Sequence, residues 1–502
     1  MNARPGGDAI SLTALAPEII VALAAVIILL LGSWLPRRRQ HLSRWLALAA
    51  VFAALILSII RIVQPAEVTA AATFTIDVSL GMTRIAVLTG TAVVLVLAGG
   101  RFGVHKRKSE FYVLLLLGAL GTLVLAGASD LLVLGAGYLL ASIPLYALVG
   151  FTKDSAGTEA MLKYYLMGAL FGVLLLVGIT VLFGAGGSTT YTDLSRALLG
   201  APAGAAAVGL LAVAAGLLFK AGAVPAHFWV PDAIDGTTGP AAAFISTIPK
   251  IGALIALFRL SSLSGVPVAW PLMLALLAAL TMTLGNLAAF FQSTVLRLLA
   301  YSTISQVGYL LMVTAAVGHS ELALPSLLFY LLGYTITNLG AFAVVCAFPS
   351  LRTLKDYRGL FRTHRWLALS LIVCLLGLVG TPPTAVFVGK LTAFTAALDA
   401  GLGWLVVLAL INSVASVFYY LRWIYRLFQP GRGQATAHDD GADVPGEGAS
   451  GEGAATTNAV VLSGTLVAPR SARTAIVLGI LSLLMGLFAN PVLAFLQVNP
   501  FP

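Results

Sequence analysis

Between Gly216 and Arg259 the chain reads GLLFKAGAVPAHFWVPDAIDGTTGPAAAFISTIPKIGALIALFR: an apolar helix carrying Lys220, broken at Pro225 and Pro231, then a polar loop and a second apolar helix carrying Lys250. Both runs are greasy enough to cross a bilayer. A charge in hydrocarbon costs roughly a few kcal/mol or more, so it persists where something uses it. Proline removes a backbone donor and clashes with the preceding turn, which opens the helix. Open backbone at membrane depth is tolerated only against protein or a water-filled cavity. Buried lysines beside a broken helix therefore predict an ion or proton path rather than an anchor.

The composition agrees: 59% of the 502 residues are hydrophobic and 10% are charged, where a soluble domain carries about 25% charge. At about 20 apolar residues per crossing, fourteen spans are predicted: 14–35, 44–63, 82–100, 110–128, 130–151, 161–185, 205–230, 240–262, 268–291, 295–318, 322–348, 366–398, 402–428 and 473–495. No cleavable leader is expected before the first. Of the 29 Lys and Arg, 21 fall in the odd-numbered loops, five on the other side and three inside spans. Positive loops stay inside, so the odd loops are predicted to be cytoplasmic and both termini to lie on the outer side. The formal charge of +10 is thus a topology signal and does not call for nucleic acid. Gln429 to Val467, rich in Gly, Ala, Thr and acids, is predicted to be a mobile cytoplasmic loop.

Span twelve repeats the device. It reads LLGLVGTPPTAVFVGKLTAF, with Pro382 and Pro383 before Lys390. The offset of five spans gives the two copies opposite orientation, which predicts an inverted repeat over spans four to eight and nine to thirteen. The chain then divides into a three-helix segment (1–109), a first repeat (110–262), a second repeat (263–428), a flexible loop (429–472) and a final helix (473–502).

Lys220, Lys250 and Lys390 are the primary candidates for carrying protons. Each lies too far from a span end to snorkel easily, and burial penalises an ammonium, so its proton is exchangeable with a neighbour. His227 offers a relay near neutral pH, or a cap for carbonyls freed at the break. Glu159 and Lys163, at i and i+4, form either a relay or a plain helix-surface pair. Asp232 and Asp235 read as loop carboxylates, either feeding protons inward or simply solvated. Cys346 and Cys374 have no metal spacing, and phosphate loops and Ser/His/Asp sets are missing, so no redox or cofactor chemistry is expected in this chain.

Several stretches resemble the antiporter-like membrane subunits of respiratory complex I, and among them the subunit N branch. They are DLLVLGAGYLLASIPLYALVGF (130–151), EAMLKYYLMGA (159–169), FKAGAVPAHFWVPDAIDG (219–236), TIPK (247–250), MTLGNLAAFFQSTVLRLLAYSTISQVGYL (282–310), GTPPTAVFVGK (380–390) and INSVASVFYYLR (411–422). The resemblance implies an all-α polytopic membrane fold of about fourteen helices, with two inverted five-helix repeats and broken helices seven and twelve. It implies proton translocation in a bacterial-type cell membrane, coupled to quinone reduction in the other subunits of an NADH–quinone oxidoreductase. Lys220 would act as switch, Lys250 as central relay and Lys390 as terminal group. NADH, FMN, iron–sulfur clusters and quinone would bind other subunits. The partners would be further membrane subunits and, through them, the peripheral arm.

One position departs. The family carries a span-five glutamate in a pattern like GLELLSLPLY; here GYLLASIPLY puts Leu139 in its place. The group that would hold the Lys220 ammonium is absent, which allows a paralogue with weakened or rewired pumping. A cation/proton antiporter or hydrogenase-linked pump of the same fold, and a purely structural membrane subunit, also remain open on the sequence.

Overall fold

The computed structural model describes residues 13–36, 39–64, 67–68, 73–101, 107–263, 268–430 and 467–498. Most of the 429–467 loop, and Arg4, Arg37, Arg38, Lys106 and Arg432 among the topology charges, lie outside the described residues.

A helix rises 1.5 Å per residue, so about 20 residues match the roughly 30 Å of hydrocarbon. Thirteen helices among the described residues are long and apolar enough to cross. In chain order the spans are Ala16–Trp34, His41–Arg61, Val78–Arg101, Lys108–Gly127, Leu131–Leu140 continued by Ile143–Val149, Ser155–Gly186, Ala203–Ala221, Gly239–Ser261, Trp270–Phe290, Val295–Thr314, Ala323–Ala347, Arg365–Val379 continued by Ala385–Asp399, Gly403–Phe428 and Pro469–Leu487. Span twelve, split into two short helices, is the one outside those thirteen, so the expected fourteen segments are all present. Glu67–Val68 and Thr75–Ile76 add a two-residue ribbon.

Spans eight and eleven form the centre: their apolar windows are 100% and 94% buried, against 33% for span six and 39% for span thirteen. Apolar faces on the outer spans are what a bilayer requires, since lipid tails solvate them as well as protein does. Small residues let the inner backbones approach. A Cβ on Gly121 of span four would stand 2.2 Å from the Ala141 nitrogen of span five, so glycine at 121 is a packing necessity.

Spans seven and twelve end their first halves in the same way. The prolines cannot continue the ladder, and a left-handed glycine closes each half-helix: Gly222 at φ 82° and Gly380 at φ 90°. The following amides return to the last turn, Ala223 N to Leu218 O at 2.9 Å and Thr381 N to Leu376 O at 3.1 Å. Pro225 and Pro383 each follow three residues after their glycine.

Three expectations change. Pro231 does not break the chain; it lies in the first turn of a short helix, Trp229–Asp235, where its missing N–H has no partner to lose. Asp232 and Asp235 belong to that helix, not to a loop. Two of the five Lys and Arg assigned above to the outer side, Arg84 and Arg259, are buried within helices. Arg84 chelates Glu18 at 2.7 and 2.8 Å. Arg259 chelates Asp77 at 2.8 and 2.9 Å and donates to Ser79 Oγ at 2.7 Å and Ala126 O at 2.8 Å. A buried charge is tenable only when paired and hydrogen-bonded, and these pairs tie spans one, three, four and eight together.

Candidate functional site

Each of the three lysines is buried, and each ammonium meets at least one carbonyl oxygen at a proline-interrupted stretch of helix. Pro249 sits inside span eight and cannot donate to Ile245 O. The next residue, Lys250, does so instead, its Nζ 3.2 Å from that oxygen. In span twelve the first half stops before Pro382 and Pro383, leaving its last carbonyls open. Lys390, from the second half, donates to Val379 O at 2.8 Å and Leu378 O at 3.4 Å, and lies 3.5 Å from Ser413 Oγ.

Span five has a break the sequence analysis did not find. Pro144 cannot pair with Leu140 O, so the helix stops at Leu140 and restarts at Ile143. Ser142 turns its hydroxyl to Tyr138 O at 2.6 Å. Lys220 Nζ, from the last turn of Ala203–Ala221, donates to the freed Ala141 carbonyl and to Ser142 Oγ, the latter at 2.8 Å. The signal was present as a proline inside a predicted span.

A helix end with open carbonyls carries partial negative charge, so these are neutral, dipolar seats for cations. Each has an aromatic neighbour. Lys220 Nζ is 5.7 Å from the Tyr138 ring centroid, Lys250 5.2 Å from Trp229 and Lys390 4.1 Å from Tyr309, within the range where a ring face attracts a cation. Among the described residues the ion pairs lie elsewhere, and no carboxylate is paired with any of the three.

A series of buried polar groups leads from the residues beside Lys250 toward Lys390. Ser246 and Thr247 precede Lys250 on span eight. Asn338 Nδ2 donates to Thr247 Oγ1 at 2.8 Å and Ser246 Oγ at 3.2 Å. Tyr334 Oη lies 3.1 Å from both Ser246 O and Thr303 Oγ1, with its one hydrogen to share between them. One turn along span ten, Gln306 accepts from Tyr330 Oη at 2.6 Å and donates to Leu378 O at 2.8 Å. Leu378 O is also an acceptor of Lys390. None of these hydroxyls and amides stood out in the sequence, because a lone Ser, Thr or Gln in an apolar span has no positional signature until packing brings its partners.

The remaining candidates fall in two places. His227 is buried just past the span-seven break, its ring tilted against Phe228 with 4.4 Å between centroids. Glu159 and Lys163 form the expected i, i+4 pair at 2.8 Å. The structure extends it: Lys163 reaches Asp232 at 3.3 Å, and Asp232 holds Arg297 at 3.0 Å. These side chains line a cavity of about 650 Å³ that also takes in Asp235 and Thr238. Burial pushes the Asp235 carboxyl up from its ordinary value, opposed by Arg297 and Arg352. Among the described residues, no three His, Cys, Asp or Glu side chains gather as a metal site.

The family described as NADH:quinone oxidoreductase/Mrp antiporter, TM matches residues 128–416. NADH-quinone oxidoreductase subunit N of Mycobacterium sp. (strain JLS) is 48% identical over 95% of this chain and 97% of its own length. Subunit N 1 of Streptomyces griseus subsp. griseus is 52% identical over 86% and 90%. Among solved structures, a chain of respiratory complex I from Thermus thermophilus with bound Aureothin superposes with a TM-score of 0.77 at 32% identity, covering 96% of this chain and 99% of that one. A chain of the Mrp complex from Dietzia sp. DQ12-45-1b shares the fold, with a TM-score of 0.81 at 21% identity over 97% of this chain and 96% of that one. The chain belongs to the NADH:quinone oxidoreductase/Mrp antiporter membrane family and, within it, to the NADH-quinone oxidoreductase subunit N family.

Proposed function

We propose that the chain is a proton-translocating membrane subunit of an NADH–quinone oxidoreductase, carrying protons on Lys220, Lys250 and Lys390. It assembles with other membrane subunits and through them with a peripheral arm, where NADH, FMN, iron–sulfur clusters and quinone react. The observation that carries this reading is the seating of three buried lysines on opened carbonyls, with no carboxylate paired to any of them among the described residues. Such a lysine can hold its side-chain position through both protonation states. A charge shift arriving from quinone reduction then changes which lysine is protonated.

The basic loops support a cytoplasmic assignment for the cavity lined by Glu159, Lys163, Asp232 and Asp235, which would serve as the proton entrance. On the same basis both termini lie outside. His227, just past the span-seven break, serves in this reading as a relay between that entrance and the lysines. Residues 110–262 and 263–428 serve as the two inverted repeats, with 1–109 as a three-helix addition and the final helix from 473 after the 429–472 loop.

The test is Lys250→Ala in the whole complex, purified and reconstituted in vesicles. Protons taken up per NADH oxidised should fall severalfold while the complex still assembles. Full pumping by an assembled Lys250→Ala complex would sink the reading. Sodium-dependent transport without NADH would support the antiporter alternative instead.

A further inference from the structure

We propose that the broken end of span five does for Lys220 what a carboxylate would do elsewhere, with Ser142 as the positioning residue; this rests on the proton-carrying reading of Lys220.

Four observations converge. Lys220 is fully buried, so its ammonium must find its acceptors inside the protein. It has two, Ala141 O and Ser142 Oγ, both from the two-residue gap between Leu140 and Ile143. The Ser142 hydroxyl spends its own hydrogen on Tyr138 O at 2.6 Å, so its oxygen lone pairs are turned toward Lys220. The position that would supply a side-chain acid is on the wrong face. Leu132, Ala136, Leu139 and Ile143 form the exposed stripe of span five, and Leu139 is 39% exposed. Leu131, Leu134, Tyr138 and Ala141 form the buried one.

The chemistry differs from an ion pair in one respect. A carboxylate favours the ammonium over the amine. A carbonyl and a hydroxyl oxygen accept N–H from either. As an ammonium, Lys220 has three N–H donors; two are engaged and the third is the proton that leaves. The amine left behind keeps both hydrogen bonds and presents a lone pair to the next proton. The seat therefore fixes where Nζ sits without fixing its charge. Ser142 is the side-chain part of that seat; the backbone part is Ala141 O, open because the Leu145 amide turns to Ser142 O at 3.0 Å where the helix restarts.

The experiment uses the whole complex in vesicles, reading protons taken up per NADH oxidised. Ser142→Ala should lower this ratio about three- to tenfold, Ser142→Thr should restore at least half of it, and Leu139→Glu should leave it unchanged. Recovery by threonine separates positioning from mere space-filling. If Ser142→Ala does not assemble, Ser142→Cys, whose sulfur accepts hydrogen bonds only weakly, should show the same loss. An unchanged ratio in Ser142→Ala or Ser142→Cys, with Lys220→Ala impaired, overturns the seat while leaving Lys220 as a carrier. An unchanged ratio in Lys220→Ala overturns both. A raised ratio in Leu139→Glu also overturns the seat, because it would mean a carboxylate was wanted.

Discussion

Lys390 and Gln306 share one acceptor, the carbonyl oxygen of Leu378, at 3.4 Å from Nζ and 2.8 Å from the side-chain amide. That oxygen exists as an open acceptor because the half-helix ends just beyond it. The last carbonyl of the polar series that begins beside Lys250 is therefore also a seat of the lysine at its far end. Whatever changes the charge on Lys390 changes the competition for Leu378 O and, through Gln306, the bond from Tyr330.

Gln306→Leu removes the amide while nearly keeping the volume. It leaves Leu378 O to Lys390 alone and strands the buried Tyr330 hydroxyl, a loss of about 1–3 kcal/mol for an unsatisfied buried group. Protons pumped per NADH should fall severalfold, with quinone reduction still measurable. Unaltered pumping would remove Gln306 from the path.

Gly380 and Gly401 both hold positive φ, 90° and 74°, so alanine is strained at either. They differ in what a Cβ would meet. At Gly380 it would stand 2.8 Å from Lys390 Cδ; at Gly401 nothing lies within 4 Å. Gly401→Ala should cost stability of about 1 kcal/mol and leave pumping intact. Gly380→Ala should displace Lys390 and lower pumping as well. Comparing the two in thermal unfolding and in vesicles separates backbone strain from displacement of the lysine.

Arg259 and Asp77 should dominate the stability of the link between span eight and the N-terminal helices. Removing one partner of a buried pair costs roughly 3–5 kcal/mol because the other charge is stranded, whereas replacing both is much milder. Arg259→Met should unfold at a markedly lower temperature than the parent chain. The double variant Asp77→Leu with Arg259→Met should regain much of the loss. A double variant no better than the single would show that the bonds to Ser79 and Ala126 carry the effect instead.

Much of this protein was legible in its sequence. Lys220, Lys250 and Lys390 stand out because an ammonium in an apolar run has no cheap explanation, and that holds whatever surrounds it. The spans follow from hydropathy and the breaks near Pro225 and Pro383 from the missing amide, both local properties of the chain. What the sequence could not specify is where each ammonium goes. A lysine side chain reaches across to a neighbouring helix, so its acceptor depends on rotation and depth of packing. Span five shows the difference. Alignment of its motif made Leu139 the position that mattered, while the tertiary structure turns Leu139 outward and offers Ala141 and Ser142 to Lys220. Hydropathy alone determined that the chain crosses the membrane and which charges are costly there. Only the packing of one broken helix against another decided what holds those charges, because a carbonyl becomes an acceptor when its own helix lets it go and a neighbour's lysine is within reach.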